Sequence, residues 1–220
     1  MFFQVRIWKG LREPYVTAHQ LKKTDKIVGI WKWTALLLLV SLILAGISAI
    51  FGVGNEQLSK LIYDTSSSEF ATIKGLFAVG QVLQGLVVTA VFIFLPALVL
   101  WIFSDVEYRK LVVIQLYVAS IYFLEKVISF PLQLYFGLDH ASSPFSLGVM
   151  AQYITDYKFI SNFFGEVSLF ALWMIFLQYQ YLKVVSEKNP KQLLLVIISI
   201  NLVLWLFAAL FSYIKFEVIF

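Results

Sequence analysis

Long apolar runs separated by short polar segments take up most of this chain, at about residues 31–53, 75–103, 111–136, 163–182 and 193–213, the second interrupted by Pro96. Each run is near or above the roughly 20 residues that cross a hydrocarbon core about 30 Å thick. In such a core only a helix satisfies its own backbone hydrogen bonds within a single segment. Apolar residues follow one another without a period of two, which argues against a β-barrel. The pattern predicts an all-α polytopic membrane protein. A bundle of five transmembrane helices would occupy residues 33–220, behind a cytoplasmic segment at 1–32.

That first segment is patterned differently. Phe3, Ile7 and Leu11 recur at helical spacing, with Arg6, Lys9 and Arg12 on other faces and Trp8 suited to headgroup depth. The spacing predicts a short interfacial helix ended by Pro14, and a second helical stretch from near Thr17 through Lys22, Lys23 and Lys26 into the first span. The apolar run starts about thirty residues in and no A-x-A site precedes a mature domain, so no cleavable signal peptide is expected.

The basic residues orient the chain. Arg6, Lys9, Arg12, Lys22, Lys23, Lys26 and Lys32 precede the first span, Arg109 and Lys110 follow the second, and Lys183, Lys188 and Lys191 follow the fourth. The opposite side has only Lys60, Lys74, Lys158 and Lys215. Short cytoplasmic loops retain Lys and Arg, so the N-terminus is expected in the cytoplasm and the C-terminus outside. A bacterial cytoplasmic membrane fits this arrangement.

Composition narrows the class further. Of 220 residues, 60% are hydrophobic and 14% charged, and the mean hydropathy is +0.85. Such a chain does not suit a water-soluble domain. The pI near 9.1 reflects the basic cytoplasmic side, which favours anionic headgroups and is poor evidence for nucleic-acid binding. Cysteine is absent, so there is no disulfide, thiolate metal site or cysteine nucleophile.

A few polar residues interrupt the runs. Glu125 and Lys126 lie inside the third span, where a charge costs about 2.5 to 3.5 kcal/mol and seeks protein or water. As helix neighbours they point about 100° apart, so each should look elsewhere. Counted from Leu111, Glu125 is roughly 21 Å deep, in the outer half of the bilayer. Gln81 and Gln84 on the second span, and Asn162 and Glu166 on the fourth, reach a similar depth and form with them a candidate polar pocket. A plainer use is also open: Lys126 paired with Glu166 or snorkelling, with the glutamines joining helices. Ser41, Ala45 and Ala49, extended by Ser48 and Gly52, make a small-residue packing stripe on the first span, and Asn201, Trp205 and Ala209 a comparable line on the fifth. Such stripes fit a monomeric bundle, and that of the first span also suits oligomerisation.

No catalytic constellation stands out. His19 and His140 fall on opposite sides of the membrane, and HExxH, GxxxxGK[ST] and G-x-S-x-G are absent. Asp139 and His140 alone are a weak metal pair. An enzyme, a cofactor and a metal site are therefore not expected.

The order of features resembles a known family. EPYVTAHQL leads into the first span, YRKLVVIQLYVAS follows the second, and LFALWMIFLQYQYLKVVSEKNPKQLLLVIISINLVLWLFAAL forms a tight final hairpin. Together these are similar to the bacterial branch of the Yip1 family. The resemblance implies a five-helix membrane domain with a cytoplasmic N-terminus, and a non-enzymatic accessory or adaptor role linked to membrane transport or envelope stress. The partners so implied are the bilayer and another membrane protein such as a transporter subunit. The polar cluster leaves a second class open, a small transport or substrate-binding subunit.

Overall fold

The computed structural model of the chain describes residues 2–51, 67–138 and 142–213. Gly52, Lys60, Asp139, His140 and Lys215 lie outside them, as does the end of the first predicted span. Apart from two three-residue strands and the connecting turns and loops, the described residues form helices. Four helices are long and apolar enough to cross a membrane, which makes this a multi-pass membrane protein.

The N-terminal segment folds differently from its periodicity. Phe3 lies in β1 (Phe2–Gln4), which pairs in parallel with β2 (Lys26–Val28), Phe3 opposite Ile27. Helix α1 (Ile7–Arg12) therefore begins after Phe3, and Pro14 opens α2 (Pro14–Lys22), since proline suits the first turn, where an amide partner is missing anyway. The second stretch also stops short of the first span, because β2 intervenes. Phe3, Val5, Ala18 and Leu21 join the same apolar core as the long helices. Fully burying a side chain such as Leu21 stabilises by roughly 1.5–3 kcal/mol. The segment is thus a cap folded onto the bundle, and Trp33 Nε1 donates to Val5 O at 2.8 Å to fasten it to the first long helix.

That helix is α3 (Ile30–Phe51), followed by α4 (Ser67–Phe103) and α5 (Tyr108–Phe136). Helix α4 starts earlier than hydropathy indicates, because a helix tolerates the polar residues before Gly75 that an apolar window rejects. Helix α5 runs through Pro131 to Phe136, where Gly137 closes it with φ +61, a left-handed cap that suits glycine. It is the central helix: most of its first half is buried, while α3, α4 and the last helix present Leu39, Ile43, Val87, Trp101, Val203 and Phe207 outward. The stripe of Ser41 and Ala45 meets Gly85 of α4, whose added Cβ would sit 3.1 Å from Ser41 Oγ. This small-residue contact lets α3 and α4 approach closely.

The fourth predicted span is not one helix. Helix α6 (Gly148–Ile154) and α7 (Lys158–Gly165) precede a break, and α8 (Leu169–Val185) follows it. At 17 residues, α8 is about 26 Å long, shorter than the four long helices. Helix α9 (Pro190–Tyr213) completes the bundle, packed on α7 and α8.

Candidate functional site

Two polar places stand out, one at each end of α8. At the capped end, Gly10 of α1 lies flat against the ring of Tyr117, so closely that a Cβ there would come within 2.5 Å of it. Tyr117 and Tyr181 pack with centroids 5.2 Å apart, and the Tyr181 hydroxyl donates to Gly10 O at 2.8 Å. Below them Asn201 donates to Gln178 at 3.4 Å, and Gln178 to Gln115 at 3.1 Å, joining α9, α8 and α5. Helix α2 also packs on α8, so EPYVTAHQL, YRKLVVIQLY and LQYQYLKVV meet at this end. Gln115, Tyr117, Gln178 and Tyr181 were not singled out in the sequence; the only signal was an amide or phenol interrupting an apolar run.

The loops at this end are latched together. Asp105, between α4 and α5, accepts from the Ser186 hydroxyl and from the Glu187 amide at 2.9 Å, beyond the end of α8. Lys188 Nζ donates to Phe103 O at 2.9 Å, and Lys22 at the end of α2 pairs with Glu187 at 3.7 Å. Burial pushes the Asp105 carboxyl upward. The Ser186 hydroxyl, the backbone amides and the Lys188 charge outweigh that and hold it below its ordinary value.

The second place is the break between α7 and α8. Ser168 caps α8, its side chain accepting from Ala171 N at 3.0 Å. Residues 145–147 pair with the break: Leu147 N donates to Val167 O and Leu169 N to Phe145 O, both at 3.0 Å, around a Ser146–Ser168 bridge. This pairing satisfies backbone that no helix covers.

Of the predicted pocket residues, Glu125, Lys126 and Glu166 come together here. They lie within electrostatic reach of one another, and the Ser168 hydroxyl is placed to hydrogen-bond Glu125. Lys126 Nζ also lies 5.4 Å from the Tyr122 ring centroid. Asn162 sits on α7, and Glu166 caps the same helix, so the one-turn spacing survives while the span itself is broken. Gln84 is exposed, whereas Gln81 is half-buried with its Oε1 shielded. Asn201 lies with the amides of the other end.

Comparison with known proteins finds no matching family model, no matching curated protein and no matching solved structure.

Proposed function

We propose that the chain is a non-enzymatic accessory protein of the membrane, of the Yip1 type, which binds another membrane protein such as a transporter subunit. The observation that carries this reading is the folded cap. Its inner face is part of the bundle core, while Arg12, Lys22, Lys23 and Lys26 stay exposed on its outer face with Trp8. A rigid, basic, aromatic surface held at the membrane suits docking against a protein or headgroup surface. In this reading α8, continued by α7, makes the fifth crossing, with the cap in the cytoplasm and the C-terminus outside. The latch between 104–107 and 186–189 supports it, since it holds the ends of α4 and α8 together beside the cap.

Removing the first dozen residues would expose Tyr117 and Tyr181, so the test leaves the core intact. Arg12→Gln with Lys23→Gln and Lys26→Gln should keep the fold and release a membrane protein that co-purifies in fixed ratio in mild detergent. Unchanged recovery of that protein would contradict docking through the cap.

The break at Ser168 favours a second reading, a substrate-binding subunit, because broken helices with charged neighbours mark binding sites in transporters. Glu125→Cys and Glu166→Cys should then react with a water-soluble thiol reagent and be protected by substrate. Unreactive positions would remove this reading.

A further inference from the structure

Between β1, α2 and the buried ring of Tyr117 lies a cleft of about 290 Å³. Arg6 and Lys9 bring positive charge to its wall, Gln4, Gln20 and Thr17 add neutral hydrogen-bonding groups, and no carboxylate lines it. Tyr117 is wholly buried; the Arg6 backbone N–H faces its oxygen, while the hydroxyl hydrogen finds no acceptor among the described residues. Buried hydroxyls are almost always satisfied, so one left open at a cleft points to something that enters it. A phenol O–H is a donor, and beside a guanidinium and an ammonium it completes a set that suits an oxyanion. Among the described residues the Arg6 side chain makes one long contact, to Gln4 at 3.5 Å, which leaves most of its donors available.

We propose that this cleft binds a phosphate-bearing group, either the headgroup of an anionic lipid or a soluble phosphate compound. A basic anchor that serves only to orient the chain needs exposed charge and no buried hydroxyl. The cleft has both, and its volume falls at the small end of ligand sites, enough for a phosphate and a short organic part. This inference is independent of the docking surface, which uses the outer face of the cap, and of the polar break at the other end of α8.

The test uses the full chain, delipidated in detergent. Inorganic phosphate and glycerol 3-phosphate are titrated by calorimetry, and retention of phosphatidylglycerol over phosphatidylcholine from mixed micelles is read by native mass spectrometry. Saturable binding by any of these probes is expected, weakened about tenfold or more by Arg6→Gln and severalfold by Tyr117→Phe. Tyr117→Phe removes a buried hydroxyl whose hydrogen finds no acceptor among the described residues, so it should fold with a Tm close to that of the parent; Arg6→Gln changes an exposed side chain. Retention of phosphatidylglycerol without binding of the soluble probes would identify a headgroup site. Binding of the soluble probes without lipid preference would identify a soluble ligand. Failure of every probe to bind, or binding indifferent to both substitutions, would overturn the proposal.

Discussion

Gly10 and Tyr117 show how one side chain sets the position of a whole segment. The Tyr117 ring fills the space a Cβ at Gly10 would occupy, with its nearest carbon 2.5 Å away, and Tyr181 then reaches the Gly10 carbonyl. Gly10→Ala should therefore force the cap off α5 and destabilise the protein by about 1–3 kcal/mol, seen as a lower Tm in detergent. Tyr181→Phe should cost about 1–3 kcal/mol by stranding a buried carbonyl. An unchanged Tm for both would mean the cap does not depend on this contact. Little of this was legible in the sequence, because a glycine on a short amphipathic helix carries no mark of the ring it meets a hundred residues later. Glu125, Lys126 and Glu166 were legible, since a charge inside an apolar run is costly enough to need a neighbour.

At the scale of elements, the long apolar runs emerged as helices because hydropathy and length decide them together. The break in the fourth run did not emerge, since Gly165 and Ser168 are small enough to pass within an apolar window. Ser168 is instead the cap of α8. Ser168→Ala should cost about 1 kcal/mol and also remove the hydroxyl beside Glu125, which thermal unfolding of the single and double variants with Glu125→Gln would measure. Phe3 misled for a related reason: three residues at helical spacing are too few to exclude a strand, and pairing with β2 won. The latch at Asp105 has a pH signature. Its folded-state value lies below the ordinary 3.8, so its contribution is fully present above that value and is lost as pH falls through the lower, folded-state value. Asp105→Asn should lower Tm near neutral pH and flatten the acid limb below about pH 4, while an acid limb of parental shape in Asp105→Asn would assign it to other groups.

For the whole molecule, α3, α4 and α8 pack about a buried α5, α9 packs on α8, and a basic cap closes one end; on this arrangement we propose five crossings, with the two chain ends on opposite sides. The basic-residue pattern predicted that orientation, while the length of α8 depends on α7 and on the pairing across the break, which hydropathy does not report. The chain has no cysteine, so single cysteines can be placed at Lys23 and Glu187 on the capped end, at exposed Tyr153 on α6, and after Phe220. Labelling whole cells with a membrane-impermeant maleimide then reads the side of each position. Tyr153→Cys and the added terminal cysteine should react at once, and Lys23→Cys and Glu187→Cys only after permeabilisation. A terminal cysteine that reacts only together with Lys23→Cys would show an even number of crossings and contradict the account.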